Sequence, residues 1–188
     1  MQGLCVIISD CLPMKYFELF DIPVQFDVDL TKVNQHYLEL QKVLHPDRHA
    51  SSGASQQLLA VQKTAELNDA LQVLKQPLKR AEYMLAEKGV DIRAEQQTLQ
   101  DPEFLMQQME LREELADISD AADPEAAIEQ FEKHIKQLHQ AYYEELKQHI
   151  DSSQVSALNI AADIVRKLKF IYKLREELER IEDTLFDD

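Results

Sequence analysis

The sequence predicts an all-α protein built as an N-terminal helical hairpin followed by a C-terminal antiparallel three-helix bundle. Three observations support this. Apolar residues recur at three- and four-residue steps over most of the chain, and no strand-like alternation of useful length interrupts them. The 188 residues contain only three Gly and six Pro, mostly at the ends of periodic stretches, which favours long helices with short connections. Two Asp-Pro-Glu triplets, at 101–103 and 123–125, each combine a capping side chain, a first-turn proline and an acid at the positive end of a helix.

Residues 1–13 stand apart. Leu4-Cys5-Val6-Ile7-Ile8 is apolar but lacks the basic flank and cleavage site of a signal peptide and the Arg and Ser richness of a transit peptide. The segment reads as an extension outside the core function. It carries both cysteines, Cys5 and Cys11, which read as free thiols because a metal site normally needs four ligands. The first long helix is marked by Leu30, Val33, Tyr37, Leu40 and Leu44, and the second, less strictly, by Leu58, Val61, Ala65, Leu71 and Leu74. Between them lies His45-Pro46-Asp47. Pro46 cannot continue a helix and pushes His45 out of the helical region, so the tripeptide is expected on the stiffened tip of the hairpin.

Around it, Met14-Lys15-Tyr16-Phe17-Glu18-Leu19-Phe20-Asp21-Ile22-Pro23 lies upstream, and Asn68-Asp69-Ala70-Leu71-Gln72-Val73-Leu74 and Pro77-Leu78-Lys79-Arg80-Ala81-Glu82-Tyr83-Met84-Leu85 follow. Together these resemble the J-domain of DnaJ-type co-chaperones, which places that domain at 14–89. Asp21 stands where the J-domain pattern usually has Gly, and Arg48 where Lys is more common. Gly89 suits a left-handed helix end. Residues 90–100 are polar and read as a linker, and 101–188 as the bundle, with helices at roughly 102–120, 124–149 and 153–186. Their buried stripes are Phe104, Leu111, Leu115 and Ile118; then Ile128, Phe131, Ile135, Leu138, Tyr142 and Leu146; then Ile164, Leu168, Ile171, Leu178 and Leu185.

On the first bundle helix the core residues fall within about 60° of one another, while Leu105, Met106 and Met109 lie about 100° to 160° away. Glu110, Glu113 and Asp117 share that outward half. An apolar spot rimmed by acids is either a protein-binding site or a surface that packs on the linker or the hairpin domain. Resemblance favours the first. Phe104-Leu105-Met106-Gln107-Gln108-Met109-Glu110-Leu111-Arg112-Glu113-Glu114-Leu115 and Val165-Arg166-Lys167-Leu168-Lys169-Phe170 resemble the C-terminal signatures of the HscB family, the specialised J-proteins of iron–sulfur cluster assembly.

That resemblance implies a co-chaperone, not an enzyme, which delivers the scaffold IscU to an HscA-type chaperone and stimulates its ATPase, without a cofactor; the missing transit peptide favours the cytoplasm. It implies scaffold binding by Leu105, Met106, Met109, Glu110, Glu113, Asp117 and Phe170, the last lying at the edge of its helix's stripe and so core, surface or both. It implies chaperone binding by His45, Pro46 and Asp47, with Lys32, His36, Lys42 and Arg48 as candidate steering groups diluted by Glu39 on a flank that is otherwise an ordinary solvated face. A J-protein with a different dedicated client is the alternative. An acid–base pair of His45 and Asp47 lacks a nucleophile or pocket nearby. A metal site from His36, His45, His49 and Asp47 lacks a tight ligand pattern, and a purely structural adaptor has no need of the tripeptide. The formal charge of −15 argues against nucleic acid, which needs clustered Lys and Arg, and against an anionic membrane surface. No apolar run approaches the roughly 20 residues of a membrane span.

Overall fold

The structure, a computed structural model, describes residues 16–44, 53–90, 92 and 101–186. The expected extension with Cys5 and Cys11, the tripeptide His45-Pro46-Asp47 with Arg48 and His49, and most of the expected linker lie outside these residues. Among the described residues the regular structure is entirely helical: α1 (Tyr16–Leu19), α2 (Leu30–Leu44), α3 (Ala54–Lys75), α4 (Pro77–Glu87), α5 (Pro102–Asp117), a 3₁₀ turn (Ile118–Asp120), α6 (Pro124–His149) and α7 (Val155–Phe186). The chain divides into two compact units between Gln76 and Pro77.

In the first unit, α2 and α3 form the hairpin. Asp29 starts α2 by accepting from the amides of Thr31 (2.9 Å) and Lys32 (3.2 Å). Tyr37 on α2 donates to Asn68 on α3 at 2.9 Å, and Thr64 donates to the Leu44 carbonyl at 3.2 Å, which fixes the register of the pair. The core is less a matter of the two stripes than the sequence suggests. Of the α2 stripe only Val33 is fully buried, and Leu30 is exposed. On α3 the buried face is Ala60, Leu67, Ala70 and Leu74, whereas Leu58 and Val61 are 61% and 51% exposed and Ala65 is exposed too. The reason is that Phe17, Phe20 and Phe26, from α1 and the loop after it, fill the unit's interior. Burying each ring contributes about 1.5–3 kcal/mol, and with the interior filled by these rings the α3 positions Leu58 and Val61 stay outside.

Helix α1 ends in a residue of positive φ. Asp21 has φ 48°, with hydrogen bonds from its amide to the Glu18 carbonyl and from Ile22 to Phe17, both 3.1 Å. Gly89, at φ 76°, ends α4 with the same pair of bonds, Gly89 to Ala86 (3.0 Å) and Val90 to Leu85 (2.9 Å).

The second unit contains α4 as well as the three expected bundle helices. The sequence reading groups α4 with the hairpin as far as Gly89, but α4 packs against α7. Ala81, Met84 and Leu85 are buried, Glu82 pairs with Lys169 at 2.7 Å, and Lys88 donates to the carbonyls of Ile150 (2.7 Å) and Ser152 (3.0 Å), where α6 has ended. An ammonium at a helix C-terminus satisfies carbonyls that have no partner within the helix.

Helices α5, α6 and α7 enclose one core of Phe104, Leu111, Leu115, Ile128, Phe131, Ile135, Ile171, Leu174 and their neighbours. The predicted stripes of all three helices are buried or half-buried as expected. Cross-contacts give the directions: Gln107 meets Tyr142 and Glu114 meets His134, so α5 runs against α6; His139 meets Tyr172 while Ile135 and Leu178 share a groove, so α6 runs against α7. His139 also stacks on Tyr143, and burial, with Arg175 nearby, holds its imidazole below the ordinary range.

Candidate functional site

The surface of interest is built on α5, and its construction begins at Asp101. One oxygen of that carboxylate accepts from the Phe104 amide at 3.0 Å, and the next residue is Pro102 in the first turn. The second oxygen meets Lys167 of α7 at 3.1 Å. The Phe104 amide and then Lys167 hold the Asp101 carboxyl below the usual aspartate range. Asp123 repeats the cap at α6, accepting from Ala126 at 3.1 Å.

Phe104, Leu111, Leu115 and Ile118 face the core, and α5 is tied on both flanks. Toward α6, Tyr142 donates to Gln107 at 2.5 Å and Glu114 pairs with His134 at 3.0 Å. Toward α7, Phe104 meets Phe170 edge to face with centroids 5.8 Å apart, and the Arg112 guanidinium lies 5.8 Å from the Phe170 ring centre. Burial raises the Tyr142 hydroxyl above its ordinary range, against the pull of Lys167 and Gln107.

With that face committed, Met106 and Met109 point outward, 63% and 71% exposed, and Leu105 is half-buried beside them. Glu110, Glu113 and Asp117 are exposed on the same outward half. The structure therefore brings together six of the seven residues expected to bind a scaffold. Phe170 is the exception. At 7% exposed it packs in the core, edge to face with Phe104. Four contributors are not among the site residues expected from the sequence: Arg112, Gln107, Tyr142 and Lys167. Only the Asp101 cap signalled that this helix start was specially held.

The chaperone-side candidates divide differently. Lys32 and Lys42 are exposed on α2. His36 is half-buried, and its Nδ1 donates to the Phe20 carbonyl, which ties α2 to the end of α1. His45, Pro46, Asp47 and Arg48 lie outside the described residues. Among the described residues no group of three or more His, Cys, Asp or Glu is placed to hold a metal ion, and no helix is long and apolar enough to cross a membrane.

The HSCB C-terminal oligomerisation domain matches residues 100–179. The co-chaperone protein HscB homolog of Photobacterium profundum is 53% identical over 174 residues, which cover 93% of this chain and 100% of that protein. The homolog of Vibrio campbellii is 50% identical over 92% of this chain and 99% of its own. Among solved structures, the chaperone HscB from Vibrio cholerae superposes with a TM-score of 0.85 at 48% identity, covering 92% of this chain and 100% of that one. The human co-chaperone protein HscB shares the fold, with a TM-score of 0.79 at 24% identity over 95% of this chain and 87% of its own.

Proposed function

The chain belongs to the HscB family of co-chaperones, and from that membership we propose that it delivers the iron–sulfur scaffold IscU to an HscA-type chaperone in the cytoplasm and stimulates that chaperone's ATPase. The observation that carries the scaffold half of this reading is the exposure of Met106 and Met109 among Glu110, Glu113 and Asp117, on a helix whose other side is fastened to two neighbours. Methionine side chains adapt to an apolar partner at little cost, and the acidic rim favours a partner that is basic around its contact, raising the association rate and setting orientation. A helix already held in place spends little binding free energy on becoming ordered.

The chaperone half rests on the J-domain resemblance of residues 14–89 and on His45-Pro46-Asp47. The Asp47 carboxylate suits a charge-assisted bond with an arginine of the chaperone, and Pro46 limits the entropy lost on docking. Exposed Lys32 and Lys42 add positive charge along α2. The protein breaks no bond itself. It binds more tightly to the chaperone conformation that hydrolyses ATP, and that difference in affinity is what shifts the chaperone's equilibrium. The cluster is cargo of the scaffold, and this chain needs no cofactor of its own.

Titration of IscU into the full chain by calorimetry tests the scaffold half. Replacing Leu105, Met106 and Met109 together by Ala should weaken binding by about tenfold or more, the scale of losing one to two kcal/mol or more of central apolar contact. Unchanged affinity in the triple variant refutes the assignment of this surface.

A further inference from the structure

We propose that Lys167 is a positioning residue for the scaffold-binding surface: from α7 it locks the first two turns of α5 in the rotation that presents Leu105, Met106 and Met109. The inference rests on the scaffold-binding reading of α5. Lys167 itself lies with its side chain 26% exposed, and its charge is directed at the start of α5.

Three contacts converge on it. Its ammonium is 3.1 Å from the second oxygen of Asp101, whose first oxygen already caps α5 through the Phe104 amide. It lies 5.4 Å from the centre of the Phe104 ring and 5.8 Å from that of Tyr142. Tyr142 in turn donates to Gln107. Residues 104 and 107 are thus pinned on either side of Leu105 and Met106, one through the ammonium directly and one through a tyrosine that the ammonium faces. A helix with side chains is about 10–12 Å across, so a rotation of about 20° moves an outward side chain by roughly 2 Å. A cation on two aromatic faces and a carboxylate resists such a rotation at one point, where apolar packing alone would allow sliding. Deleting it leaves the core of the bundle and all of the outward residues in place, but frees the surface to sample rotations that do not fit the partner.

The test is calorimetric titration of IscU at 25 °C into the full chain carrying Lys167→Met, Lys167→Arg, Asp101→Asn, or the pair Met106→Ala and Met109→Ala, with thermal unfolding of each variant alongside. Lys167→Met keeps the stem and removes the charge, and Asp101→Asn keeps the cap and removes the charged partner. Each should weaken affinity about fivefold or more, while Lys167→Arg stays within about twofold of the parent chain. Stimulation of the chaperone's ATPase without scaffold should be unchanged in all of them. A lowered unfolding temperature with affinity intact in the charge-removing variants overturns the inference and leaves Lys167 a structural residue only. Should Lys167→Met fail to fold, Asp101→Asn decides by the same criterion. If the methionine pair also binds normally, the reading of the surface falls and this inference with it; if only the methionine pair loses affinity, this inference alone is wrong.

Discussion

Asp21 occupies a backbone conformation that most residues avoid. Its φ of 48° closes α1 with the hydrogen-bond pair that Gly89 makes at the end of α4. A side chain there is strained, and aspartate tolerates it better than most. Asp21→Gly should raise unfolding stability by about 0.5–1 kcal/mol, and Asp21→Val should lower it by about 1–2 kcal/mol, read from urea midpoints. In the sequence Asp21 shows only as a departure from a family pattern; the strain comes from the backbone and leaves no trace in composition. Asp101 was readable, because a cap depends on three adjacent residues. Its folded carboxyl binds a proton less tightly than the unfolded chain does, so its contribution is complete above the ordinary aspartate range and is lost as pH falls through the lowered value. Asp101→Ala should cost about 1 kcal/mol at pH 7 and should flatten the acid limb of a stability-against-pH curve. A parallel curve for parent and variant would contradict the assignment. His36 shows the limit of such reading: its bond to the Phe20 carbonyl joins residues far apart in sequence, and nothing local announces it.

Helix faces were legible in proportion to the contrast between their sides. The stripes of α6 and α7 emerge as predicted because charged residues fill most of the opposite faces, and that of α5 emerges because its core residues cluster within one narrow arc although Met106 and Met109 stand outside it. In α3, apolar residues are spread around the helix, so Leu58 and Val61 read as buried, while Ala60, Leu67 and Ala70 are inside together with Leu74 of the expected stripe. The same uncertainty attended Phe170, at the margin of its stripe, and the structure places it in the core. The consequence is a contrast between variants. Phe170→Ala should lower stability by about 3–5 kcal/mol through the cavity it leaves. Met106→Ala with Met109→Ala, which removes exposed side chains, should change it by about 0.5 kcal/mol or less. Equal losses in chemical denaturation would mean that the methionines are packed against something in the native protein.

At the scale of the molecule, the hairpin and the bundle are legible in the sequence, while the neighbour that α4 packs against is not. Gly89 and the polar run after it look like a domain end, yet the compact units part between Gln76 and Pro77, and α4 belongs with α7. Pairing of Lys88 and Glu82 with residues more than sixty positions away decides this, and periodicity carries no information about which neighbour a helix selects. Two separate sites on one chain are what the proposed function requires, one for the chaperone and one for its cargo. Steady-state ATPase of the HscA-type chaperone, with this protein and IscU added separately and together, measures that bridging directly. The parent chain should give more stimulation with IscU present than the sum of the two alone, and Met106→Ala with Met109→Ala should keep the stimulation by the co-chaperone alone while losing the surplus. An undiminished surplus in that variant would contradict the claim that α5 carries the cargo.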